Sequence, residues 1–118
     1  MRVKRGQVRH ARHKRLLKRA SGFRGSRSKL FRPARLALEK SLVYAYRDRR
    51  QRKRQMHRLW IVRINAAARE HGLSYSRLMH GLKQAQVEID RKMLADLALQ
   101  DPSGFAELVS VARTHAAA

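Results

Sequence analysis

The chain has 118 residues, a length that suits one domain with an extension, and a formal net charge of +21 from 29 Lys+Arg against 8 Asp+Glu. A field this strong opposes compaction unless a polyanion neutralises it, which argues against an ordinary enzyme and for a nucleic-acid partner. Cysteine is absent, so disulfides and Cys-based metal sites are excluded, and no apolar run approaches the roughly 18 residues of a membrane span.

Arginine outnumbers lysine, 21 to 8. Its planar fork binds phosphate in bidentate fashion and stacks on bases, whereas lysine acts as a point charge. The surplus is not spread evenly. Residues 1–60 hold 22 basic and two acidic side chains, while residues 61–118 hold seven and six. This asymmetry predicts a basic arm followed by a folded module. The division is placed at residues 1–58 and 59–118, and the fold class is all-α. A long basic N-terminal helical extension precedes a small C-terminal helical globular domain.

In chain order, Met1 to His13 carries charge but no apolar core of a secretory signal, so a soluble, cytoplasmic protein is expected. In residues 1–32, Leu16, Leu17, Phe23, Leu30 and Phe31 are too few to offset the ordering entropy of a chain this charged. Arg9 to Ala20 reads as a short helix at best, and Gly22 and Gly25 with Ser21, Ser26 and Ser28 break it. This segment is expected to order on its partner. Its candidate phosphate ligands are Arg2, Lys4, Arg5, Arg9, Arg12, His13, Lys14, Arg15, Lys18, Arg24, Arg27, Lys29 and Arg32.

Residues 34–71 contain neither Gly nor Pro. Pro33 suits a helix start and Gly72 a helix end, so one helix of about 57 Å is predicted. Leu36, Ala37, Val43 and Tyr44 form a loose early stripe. Trp60, Ile64, Ala67, Ala68 and His71 form a clear late face. Between them the charge goes all round. Arg47, Arg50, Arg54 and Arg58 make one row, and Arg49, Arg52 and Lys53 occupy other sides. No protein core holds such a helix, and its like charges weaken it when alone. Anions on several sides would reverse that, which implies a helix embedded in RNA. Tyr44 and Tyr46 are candidates for stacking on bases, with packing against leucines as the alternative.

Three short helices are predicted beyond Gly72. Ser74, Asp90 and Asp101 are their N-caps, and Pro102 opens the last. Their apolar faces are Leu78, Met79, Leu82 and Ala85; Ile89, Met93, Leu94, Leu97 and Ala98; and Phe105, Leu108, Val109 and Ala112. With the end of the long helix they give a four-helix module of about 60 residues, close to the lower limit for independent folding. Asn65, Arg69, Lys83, Arg91 and Lys92 form a candidate RNA-facing patch. The alternative is ordinary salt bridging with Glu70, Glu88 and Asp96. No nucleotide-binding, metalloprotease or hydrolase motif is present, so no catalytic residue, metal or cofactor is assigned.

The segment Tyr44-Ala45-Tyr46-Arg47-Asp48-Arg49-Arg50-Gln51-Arg52-Lys53-Arg54-Gln55 resembles the signature of the L-twenty family (bL20-type) of bacterial large-subunit ribosomal proteins. Leu59 to Arg69, Gly72 to Ser76, Val87 to Asp96, Arg12 to Lys14 and Gly22 to Ser28 are similar to the same family, in the same order. The resemblance implies an arm threading into 23S rRNA and a helical domain that also contacts it. It further implies an early role in large-subunit assembly beside neighbouring large-subunit proteins. Some members repress translation through their own mRNA leader. Other readings of the residues alone are a regulator of a structured mRNA, a DNA architectural protein, or a nuclease. The nuclease reading lacks any paired His or carboxylate site.

Overall fold

The computed structural model describes residues 6–116, which form six α-helices and no strand. They are α1 (Gly6–Arg19), α2 (Ser26–Lys29), α3 (Phe31–Glu70), α4 (Tyr75–Gln84), α5 (Arg91–Gln100) and α6 (Pro102–Ala116). The chain divides into two compact units, Met1–Arg50 and Gln51–Ala118.

In the first unit α1 is longer than its sequence suggested, with 14 residues. Its Arg, Lys, Leu and Ala are good helix formers, and Lys18 and Arg19 complement the negative end of the helix. Ala20 and Ala34 are fully buried, Leu16 and Leu17 half-buried. The His13 ring stacks on Phe31 with centroids 3.8 Å apart. Gly22 and Gly25 take left-handed φ values of 88° and 61°, as a reversal between helices requires. They do not abolish helix, because α2 forms one turn immediately after Gly25.

The long helix begins at Phe31, so Pro33 is its third residue and not its first. Proline fits there because the first N–H to close a helical bond is that of Ala34, which donates to the Leu30 carbonyl at 3.0 Å. At the far end Gly72 has φ 76°. Its N–H donates to the Arg69 carbonyl at 2.9 Å and that of Leu73 to the Ala68 carbonyl at 3.0 Å. This pair of bonds is the Schellman arrangement, completed by burial of Leu73.

The second unit is built on the faces the periodicity picked out. Ile64 and Ala68 of α3 meet Leu73, then Leu78 and Leu82 of α4, Leu94 and Ala95 of α5, and Phe105, Val109 and Ala112 of α6. Trp60, Met79 and Leu108 pack around this core. Burial of Phe105, Ile64, Leu78 and Leu94 contributes about 1.5–3 kcal/mol each before entropy is subtracted. The Ser74 hydroxyl accepts from Arg77 N–H at 3.4 Å and the Asp90 carboxylate from Met93 N–H at 2.7 Å. Met93 and Ile89 depart from the expected core. Met93 is 58% exposed and Ile89 36%, because α5 turns Leu94 and Ala95 inward instead. The α4–α5 connection bends through Gln86, whose φ is 56°. There Val87 N–H donates to the Leu82 carbonyl and Gln86 N–H to that of Lys83, a second Schellman end made without glycine.

Candidate nucleic-acid interface

The arm residues stand where helices α1 to α3 project them. Arg2, Lys4 and Arg5 lie outside the described residues. Arg9, Arg12, Lys14, Arg15, Lys18, Arg24, Arg27, Lys29 and Arg32 are exposed, and His13 is half-buried by its stack on Phe31. On α3, Arg47, Arg49, Arg50, Arg52, Lys53, Arg54 and Arg58 are all exposed. The first sixty residues contain two acids, and each is paired with one arginine. Glu39 accepts from Arg35 and Asp48 from Arg47, each at 2.9 Å on the open surface. The hydrogen bond and charge of Asp48 push the Arg47 guanidinium above its ordinary pKa. Among the described residues, the other cations of the first sixty positions have no carboxylate partner. Their charge is left for an external anion.

The two tyrosines of α3 lie at the surface and outside the hydrophobic core. Tyr44 and Tyr46 are exposed, and cations lie over both rings. The Arg50 guanidinium sits 3.6 Å from the Tyr46 ring centre and that of Arg47 4.8 Å from Tyr44. At these distances each guanidinium is attracted by the negative face of its ring, and the exposed rings are candidates for stacking with a base. Two clefts in the first unit bring arm residues together. One of about 800 Å³ gathers Arg9, His13 and Arg32 around Leu30, Pro33 and Leu36. The other, of about 600 Å³, gathers Arg24, Arg27 and Tyr44 beside Phe23.

In the second unit the five candidate residues separate into different settings. The Asn65 side-chain oxygen accepts from Tyr75 N–H at 3.3 Å and from Arg69 Nε at 3.4 Å. It therefore ties α3 to the start of α4, and its carbonyl is engaged within the chain. Arg91 Nε donates to the Tyr75 hydroxyl at 2.8 Å, so Tyr75 links Arg91 to Asn65 and Arg69. Lys83 lines a cleft with Arg91, and Lys92 is exposed on α5. The salt bridges with Glu70, Glu88 and Asp96 do not form. Sequence reasoning missed a further basic group. Arg77, His80 and Arg113 line one cleft, and Arg113 donates to the His71 carbonyl at the end of α3. That contact joins residues 42 positions apart, a separation that local patterns do not report.

The last helix starts at an acidic cap. The Asp101 carboxylate accepts from the Ser103 hydroxyl and from Gly104 N–H, and these bonds lower its pKa from the ordinary 3.8. A carboxyl whose folded pKa is depressed stabilises the fold above its unfolded value, and that contribution is lost as pH falls through the folded one. The second unit is therefore expected to lose stability below about pH 4 in part through this group. Asp101→Asn should flatten that acid limb in urea melts between about pH 2 and 5. An unchanged limb would show that the cap does not couple to folding.

Residues 2–108 match the family model described as Ribosomal protein L20. The chain is 61% identical over 117 residues to the large ribosomal subunit protein bL20 of Solidesulfovibrio magneticus, covering 99% of this chain and 100% of that protein. It is 62% identical over 112 residues to the protein of the same name from Desulfosudis oleivorans, covering 95% and 97%. It is also 62% identical over 113 residues to that of Thermomicrobium roseum, covering 96% and 97%. An all-helical chain, an exposed basic surface left without internal partners and these full-length matches agree, and the chain belongs to the bL20 family of large-subunit ribosomal proteins, which are structural constituents and not enzymes.

Proposed function

We propose that the chain binds 23S rRNA directly and supports early assembly of the large subunit beside neighbouring large-subunit proteins. The observation that carries this reading is the stretch Arg47–Arg58, where cations surround an exposed helix and only Asp48 answers them. Residues 1–58 act as the arm that neutralises phosphates where RNA helices approach one another. Each neutralised phosphate releases counterions, so affinity falls steeply with salt. The RNA orders the arm in turn, a coupling that makes assembly sequential. The module, through Arg69, Lys83, Arg91 and Lys92, adds fewer charges and reads the shape of one RNA junction. Asn65 acts there by positioning Arg69.

The test is binding of the full chain to 23S rRNA, to an unrelated structured RNA of equal length and to duplex DNA, in rising salt. A steep slope with a preference for 23S rRNA that persists at high salt is expected. Equal binding of duplex DNA and both RNAs would overturn the reading and favour an architectural DNA-binding role.

A further inference from the structure

One cleft of the first unit has a composition that phosphate binding alone does not account for. Its volume is about 600 Å³, within the roughly 300–1,000 Å³ range of small-ligand sites. Phe23 and Tyr44 supply two rings, Arg24, Arg27 and Lys40 supply cations, and Asp48 supplies a carboxylate. An acid is the wrong charge for a phosphate. In a segment this basic it lowers affinity for a polyanion, unless it meets donors on the nucleic acid itself. Its ion pair with Arg47 is a poor explanation, because both side chains are more than half exposed and such pairs contribute little. That pair also leaves the carboxylate largely free, since Arg47 Nε approaches one oxygen and a carboxylate can accept about four hydrogen bonds.

The bases differ in what they offer an acceptor-only group. Guanine presents two adjacent donors on its pairing edge, N1–H and the 2-amino group, which match the two oxygens of a carboxylate. Adenine and cytosine place one amino donor next to a ring nitrogen acceptor, and uracil places its N–H between two carbonyls. Both of these arrangements repel part of the carboxylate. Tyr44 is 45% exposed, with the cations of Arg47 and Lys40 lying 4.8 Å and 5.8 Å from its ring centre. Single-stranded RNA is commonly recognised by stacking unpaired bases on aromatic rings and reading their pairing edge.

We propose that this cleft is a single-nucleotide site for an unpaired guanine. Phe23 and Tyr44 contact the base, Asp48 accepts from its N1–H and 2-amino group, and Arg24, Arg27 and Lys40 hold the adjoining phosphates. The inference rests on the RNA-binding reading and adds a base preference to it.

The experiment measures binding of the full chain to heptauridine RNAs carrying one central guanosine, inosine or adenosine, at about 0.3 M salt to suppress contacts outside the cleft. Guanosine should be preferred over adenosine about tenfold, with inosine, which lacks the 2-amino donor, in between. Asp48→Asn separates this site from a mere ion pair by sign. The substitution removes one negative charge, so with no base contact it tightens every RNA alike. With guanine capture it weakens the guanosine RNA and erases the preference. Tyr44→Leu should weaken all three RNAs and leave their order intact. Equal affinities for the three RNAs, or an Asp48→Asn variant that tightens all of them, would overturn the proposal. If the chain still prefers 23S rRNA in the salt series, this site alone falls. If that preference is also absent, the RNA-binding reading falls with it.

Discussion

Gly81→Ala is expected to unfold the second unit. A Cβ at position 81 would lie 2.1 Å from the carbonyl oxygen of Ala112 and 2.8 Å from its Cα, both backbone atoms of α6. No side-chain rotation relieves that contact. The two helices must part, which opens the core around Leu78, Leu82, Phe105 and Val109. Overpacking of a core ordinarily costs about 1–3 kcal/mol, and a clash with backbone belongs at or above the upper end. A unit of this size has only about 3–10 kcal/mol to lose. Urea melts followed by circular dichroism should show a loss of at least about 3 kcal/mol or no folded baseline. A loss below about 1 kcal/mol would mean that α4 and α6 slide apart without consequence.

The second large effect concerns RNA. Arg50, Arg54 and Arg58 lie in one row on α3 and have no carboxylate partner among the described residues. Replacing all three with glutamine preserves helix propensity and removes three charges. Each lost phosphate contact should reduce the slope of log K against log salt by about 0.7–0.9, hence by about 2–3 in all. Extrapolated from molar salt to about 0.15 M, this corresponds to roughly a hundredfold weaker binding of 23S rRNA. Filter binding across a salt series reads both quantities. An unchanged slope would place this row away from phosphate.

The parts of this fold that were legible in the sequence are those whose causes are local. Ser74, Asp90 and Asp101 cap helices because a side-chain oxygen reaches an amide two or three residues on, a relation written into neighbouring positions. Gly72 ends α3 for an equally local reason. The core faces of α3, α4 and α6 followed from helical period. Periodicity failed at Met93, since α5 is apolar over too wide an arc to reveal which side faces inward. It also understated α1, where charge suggested disorder although Arg, Lys, Leu, Gln and Ala, all good helix formers, make up most of it.

Contacts between distant residues were not legible at all. Nothing near Gly81 announces Ala112, and nothing near Arg113 announces the His71 carbonyl. In the candidate interface the residue types and their exposure could be read. Their grouping into clefts could not, because it depends on how the turn at Gly22 and Gly25 places Phe23 and Arg27 beside α3. Asn65 shows the same limit from another side. Its type suits RNA, yet its oxygen is spent on the start of α4.

The unpaired cations of the arm also govern how the protein behaves in a test tube. A chain of net charge +21 is a polyelectrolyte, and mixing it with RNA titrates one against the other. Near charge equivalence the repulsion that keeps complexes apart vanishes, and association into turbid suspensions follows. On either side of that ratio the particles regain a net charge and disperse. Reconstitution with rRNA is therefore sensitive to the order and ratio of mixing. Adding protein slowly to excess RNA at elevated salt, then lowering the salt, keeps the mixture on the soluble side throughout.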